Sequence, residues 1–144
     1  MRKALLLLLL IGSSSSAFAT GTPSKIHSIY WSDADSGRIN GKIKFRLNSV
    51  DAPETGGVGA AIGGAECEAE RVQGFESKEW IVSYTKGKEL QIGKTYGEDR
   101  YGRLIVDLNA NGRDVSEEGL KTGHLKAWPH EGAKSLSSKP DWCR

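Results

Sequence analysis

The chain has 144 residues, with 20 Lys and Arg against 18 Asp and Glu, 38% hydrophobic residues and 8% aromatics. That is the length of one domain with enough apolar content to close a core, which excludes a two-domain enzyme, wholesale disorder, a fibrous chain and a multi-span membrane protein. Charge near balance gives no bulk attraction to polyanions, so any contact with nucleic acid must come from particular residues.

Residues 1–19 read as a secretory signal. Arg2 and Lys3 precede an apolar run from Ala4 to Ile11, and Ala17-Phe18-Ala19 has the small-x-small form of a cleavage site. A membrane span needs about 20 apolar residues, and here Gly12 and the serines Ser13 to Ser16 interrupt the run. The expectation is cleavage after Ala19, leaving one domain at 20–144 that is exported to the periplasm or the medium without stable membrane association and, by default, as a monomer. Loss of Arg2 and Lys3 leaves 18 basic and 18 acidic residues.

Ser24 to Trp31, rich in β-branched and aromatic residues after Pro23, predicts a strand. Asn40-Gly41 inside Arg38 to Val50 is a strong hairpin signal and predicts two more. Period-two alternation puts Ile43, Phe45 and Leu47 on one face and sends Lys44, Arg46 and Asn48 to the other. Gly56 to Gly64 has no polar or aromatic anchor and predicts a mobile loop.

Ala69, Val72, Phe75, Trp80, Val82 and Tyr84 make an imperfect apolar stripe that predicts a helix over Ala65 to Thr85, against which Gly74 argues. Strands are expected over Lys88 to Thr95 and Gly102 to Asn109. Asn111-Gly112 then turns the chain into a short helix from Ser116 to Thr122, capped by Ser116 and ended by Gly123. This order lacks βαβ alternation. It is that of a mainly β, α+β fold: a five-stranded OB barrel with a helix between strands 3 and 4 and a short C-terminal helix.

Cys67 and Cys143 are a poor zinc site with no histidine nearby, and in an exported domain they read as a disulfide. The bond would close a loop of 76 residues and clasp the C-terminal tail to the body, worth about 4.5 kcal/mol in the chain-entropy account.

Three segments mix acids or arginines with turn residues: Asp33-Ala34-Asp35-Ser36, Arg46 to Glu54, and Asp99-Arg100-Tyr101-Gly102-Arg103. Asp35 and Asp51 could supply oxygens to a hard cation such as calcium. Glu54, just past Pro53, could orient or deprotonate a water beside it, and Arg46 and Arg103 could fork onto a phosphate. Singly, Asp-rich turns cap backbones and surface arginines pair with acids to little effect. Jointly the set describes a metal-dependent phosphodiesterase.

At these motifs, from about Ile26 to Trp128, the sequence resembles the staphylococcal-nuclease-like (thermonuclease) family. The carriers are the Asp-Ala-Asp-Ser turn, Arg46-Leu47 followed by Asp51-Ala52-Pro53-Glu54, and Asp99-Arg100-Tyr101-Gly102-Arg103. The resemblance implies Ca2+ held by Asp35, Asp51 and the backbone carbonyl of Ala52. It assigns the attacking water to Glu54 and the scissile phosphate to Arg46 and Arg103. It further implies substrate contacts from Arg100 and Tyr101, an aromatic, Trp128, under a base, and hydrolysis of DNA or RNA to 3′-phosphate ends with little sequence preference. Ala34 replaces the usual glycine of the turn, and Ala52 replaces a threonine. The competing reading is a non-catalytic OB-type module that binds nucleic acid or calcium.

Overall fold

The computed structural model describes residues 25–144; the signal reading of residues 1–19 lies outside the described residues. In chain order the elements are β1 (Ile29–Trp31), β2 (Ser36–Ile39), β3 (Ile43–Leu47), β4 (Val50–Asp51), α1 (Glu68–Thr85), β5 (Leu90–Glu98), β6 (Leu104–Ala110), β7 (Arg113–Asp114), α2 (Val115–Thr122), β8 (Lys126–Ala127), β9 (His130–Glu131) and β10 (Lys134–Ser135).

The main sheet runs β1-β2-β3-β6-β5, with β7 added to β6. The β3–β6 pair is parallel, with Phe45 opposite Leu104 and Leu47 opposite Val106, while the other neighbours are antiparallel. With α1 between the third and fourth long strands, the fold is the α+β, OB-like architecture expected. The Asn40-Gly41 hairpin forms through positive φ angles of 52° and 68°. The first strand is shorter than predicted because His27 and Ser28 donate their N–H groups to Asn40 Oδ1 instead of to a strand.

Ile39, Phe45, Leu47, Val106, Leu108 and Ile81 sit at the centre of the core, and Trp31 meets Phe45 edge-on. Each such side chain contributes roughly 1.5–3 kcal/mol by leaving water. Arg46, between two core residues of β3, is only half-buried on the other face, as alternation requires.

The buried face of α1 differs from the predicted one. Glu70, Gly74, Ser77, Ile81 and Thr85 are buried, whereas Val72, Phe75 and Val82 are about half exposed. The helix docks by close approach and hydrogen bonding as well as by apolar area, with Ile81 in the core and Trp80 and Tyr84 of the predicted stripe packed against it. A Cβ at Gly74 would lie 2.3 Å from the Glu54 carbonyl oxygen, and Thr85 Oγ1 accepts the Trp31 indole N–H at 3.1 Å. The cap of α2 is also corrected, because Asp114, not Ser116, accepts the Glu117 N–H. Ser116 lies within the first turn, its hydroxyl buried without a partner. Gly123 ends the helix in the left-handed conformation, as predicted. The glycine segment is a folded loop, in which Gly56 N–H donates to Gly63 and Gly59 N–H to Ala65.

Candidate active site

Two turns of the sheet converge. In the β1–β2 turn Asp33 Oδ1 accepts the Asp35 N–H at 3.3 Å and the Ser36 hydroxyl at 2.8 Å, so Asp33 shapes the turn that presents Asp35. Ala34 is wholly buried there and lies outside the left-handed region, so the turn accommodates alanine in place of glycine. Leu47 N–H donates to the Asp35 carbonyl at 2.8 Å, and Asp35 Oδ2 accepts the Ala52 N–H at 3.0 Å. Asp35, Asp51 and Ala52 thus form one knot at the end of β3 and β4.

Asp51 is 3% exposed. Its Oδ2 accepts the Trp142 indole N–H at 2.8 Å, and its Oδ1 lies 3.9 Å from Lys139 Nζ. The same ammonium donates to Glu54 Oε1 at 2.9 Å, which brings Glu54 beside Asp51. The Glu54 backbone is set by α1: its N–H donates to Glu70 Oε1 at 3.2 Å, and its carbonyl rests on Gly74.

Asp33, Asp35, Asp51 and Glu54 form a crowded set of carboxylates. Burial, with the Asp35 charge adding to it, pushes the Asp51 carboxyl up to about 7, against the pull of the Trp142 N–H and Lys139. Burial and Asp35 likewise hold Asp33 well above the usual carboxylate range. Burial works against the charge of Lys139, yet Glu54 and Asp51 raise it above an ordinary lysine. Carboxylates this close favour a cation, and a set of carboxylate oxygens with a backbone carbonyl fits a hard divalent ion.

Arg46 reaches the same edge, donating from Nη2 to the Val50 carbonyl at 3.2 Å, with its guanidinium 4.8 Å from the Trp128 ring centroid. Trp128 is therefore the shelf under Arg46. Its backbone N–H is held by Ser49 O and its indole N–H by Ser137 O. Arg103 is fixed by Asp99, whose Oδ2 accepts Nε at 2.7 Å. Burial pushes Asp99 up, but the Arg103 backbone N–H and guanidinium hold it below the ordinary carboxylate value. Arg46 pairs with Ile105 across the parallel strands, and Arg103 immediately precedes β6. Tyr101, 59% exposed, has Arg100 and Arg103 over its ring at 4.8 and 5.4 Å.

Asp35, Asp51, Ala52 and Glu54 are joined by direct contacts or through Lys139, and Arg46 lies beside them through its bond to the Val50 carbonyl. Arg103, Arg100 and Tyr101 form a second cluster at the start of β6. Four participants escaped the sequence reading: Glu70, Gly74, Lys139 and Trp142. The one available pointer was Cys143, since a clasp at that position carries its neighbour Trp142 onto the body; the disulfide to Cys67 is present. Glu66, Glu70 and Cys143 also bring donor atoms within 4.8 Å of one another. That group is no metal centre, because Cys143 is spent in the disulfide and Glu70 accepts the Glu54 and Glu66 N–H groups.

The sequence matches the family model described as staphylococcal nuclease homologue over residues 44–140. The chain belongs to that family. Among its relatives, a probable staphylococcal-like nuclease of Oryza sativa subsp. japonica is 34% identical over 57% of this chain and 20% of its own length. A staphylococcal-like nuclease of Arabidopsis thaliana is 29% identical over 70% of this chain and 26% of its own. A probable endonuclease of Candida tropicalis is 29% identical over 71% and 41%. The chain thus spans less than half the length of these relatives. The family match takes in Arg46, Asp51, Glu54, Arg103 and Lys139 and stops short of Trp142 and Cys143.

Proposed function

We propose that this chain is an exported, calcium-dependent nuclease that hydrolyses phosphodiester bonds of DNA or RNA, or both, with little sequence preference and leaves 3′-phosphate ends. The observation that carries the reading is the convergence of Asp35, Asp51 and Glu54 within one hydrogen-bonded knot beside Arg46. Family membership supports a nuclease. The signal-like residues 1–19 and a disulfide support export. No helix among the described residues is long and apolar enough to cross a membrane.

Asp35, Asp51 and the Ala52 carbonyl would hold the calcium ion, which when bound supplies electrostatic stabilisation to phosphate oxygens. Glu54, half-buried and anchored through its backbone, accepts a proton from the attacking water. Arg103, with Nε committed to Asp99, offers its two Nη groups to the phosphate, and Arg46 approaches from its Trp128 shelf. Both donors stabilise charge that grows on the phosphate oxygens during displacement. Arg100 and Tyr101 hold the neighbouring nucleotide. Because Trp128 already carries Arg46, stacking by this residue on a base would use the edge or face the guanidinium leaves open.

The test is hydrolysis of single-stranded DNA and of RNA by residues 20–144, with calcium and with excess chelator, beside Glu54→Gln and Arg103→Ala. Calcium-dependent cleavage that falls by orders of magnitude in both variants, while both remain folded, is the expected result. Wild-type rates in both would sink the assignment. Binding of nucleic acid without cleavage under any divalent metal would make the chain an OB-type binding module instead.

A further inference from the structure

Trp142 is 4% exposed and gives its indole N–H to Asp51 Oδ2 at 2.8 Å across 91 residues of chain. An indole N–H is a donor only, and burying it unpaired is costly, so this bond fixes ring and carboxylate together. With Oδ2 engaged, Asp51 is held in one rotation and presents Oδ1, the oxygen that faces Lys139.

Three independent contacts hold the ring in place. Gln73 of α1 donates to the Trp142 carbonyl at 2.9 Å. Lys126, the β8 residue paired with Asp51, sits 4.4 Å from the ring centroid and donates to the Asp141 carbonyl at 2.6 Å. Next to Trp142, Cys143 is bonded to Cys67 at the N-cap of α1, the helix that also positions Glu54 through Glu70.

We propose that Trp142 is a positioning residue for Asp51 and that the Cys67–Cys143 disulfide keeps it there, which makes the clasped tail a working part of the cation site. The inference rests on the reading of Asp51 as a calcium ligand. Partners that orient a metal-binding side chain typically govern 10–100-fold of metal affinity. Reduction of the disulfide frees the tail and weakens calcium binding without touching any ligand.

Calorimetric titration with calcium of the oxidised protein, wild type beside Trp142→Phe, tests this. Phenylalanine keeps most of the apolar bulk and removes the Nε1 donor. The expected result is a calcium Kd raised about 10-fold or more, with DNA hydrolysis lowered at limiting calcium and restored when calcium exceeds the new Kd. A packing role alone would lower the melting temperature and leave the Kd unmoved. The paired variant Cys67→Ser with Cys143→Ser retains Trp142 but unties the tail, and its Kd is expected to rise to a similar degree. A wild-type Kd in Trp142→Phe overturns the role of Trp142, and a wild-type Kd in the serine pair overturns that of the disulfide. Wild-type protein that takes up no calcium overturns the ligand reading beneath both, a failure distinct from either variant's.

Discussion

A methyl group at Gly74 would sit 2.3 Å from the Glu54 carbonyl oxygen. Helix propensity alone makes Gly→Ala stabilising by about 1 kcal/mol, whereas forcing a methyl into a filled site costs roughly 1–3 kcal/mol. Because the obstructing atom is backbone, the cost wins: Gly74→Ala should be destabilised in a urea titration and also lose DNA hydrolysis, since Glu54 must shift. A variant as stable and active as wild type would show that α1 does not set Glu54. Lys139 makes a second prediction at this scale. Its ammonium is the basic group that contacts both Asp51 and Glu54, so Lys139→Met should lower the melting temperature of the calcium-free protein and enlarge the rise produced by calcium. An unchanged calcium response would mean the ammonium does little to offset the carboxylates. Residues such as Arg46, Asp51 and Glu54 were legible because their chemistry is written within nine consecutive positions and strand alternation says which face each takes. Lys139 and Trp142 were not, for their partners lie 85 and 91 residues away and only the folded chain brings them together.

The two helices show where sequence pattern serves and where it misleads. The stripe of α1 that packs inward is Glu70, Gly74, Ser77, Ile81 and Thr85. Four of these five are small or polar, so a search for apolar periodicity finds the helix but selects a mixed stripe, in which Trp80 and Tyr84 pack against the core while Val72, Phe75 and Val82 stay half exposed. Helix α2 is found as well, but its cap is displaced to Asp114, the last residue of β7, where the chain leaves the sheet. Asp114→Ala should cost about 1 kcal/mol, the usual worth of an N-cap. Ser116→Ala should be neutral or stabilising, since it removes a buried hydroxyl that has no partner. Denaturant midpoints of the two variants, read side by side, check this; equal losses would mean that Ser116 shares the capping.

At the scale of the molecule, the element order gave the α+β, OB-like architecture, whereas the parallel pairing of β3 with β6 was not legible in an order without βαβ alternation. What the sequence could not carry was the path of the C-terminal tail across the site, because its residues have no regular periodicity and are fixed by single bonds to distant groups. A ligand that binds only the folded state stabilises it by RT ln(1 + [L]/Kd), about 2.7 kcal/mol at 100 times Kd. Calcium should therefore raise the melting temperature by several degrees and chelator should return it. No shift at any calcium concentration would count against a site on Asp35 and Asp51.

The parallel pairing of β3 with β6 joins Phe45 to Leu104, positions 59 residues apart in the chain, and it is this pairing that sets the strand of Arg46 beside the strand that Arg103 precedes. Contacts of such long range close late, and folds that depend on them fold in milliseconds to seconds. A chain refolding from denaturant therefore has compact pieces before it has the edge that carries Arg46. Hydrolytic power in a refolding time course should appear in the final phase, with the sheet, and be missing from any earlier collapsed species.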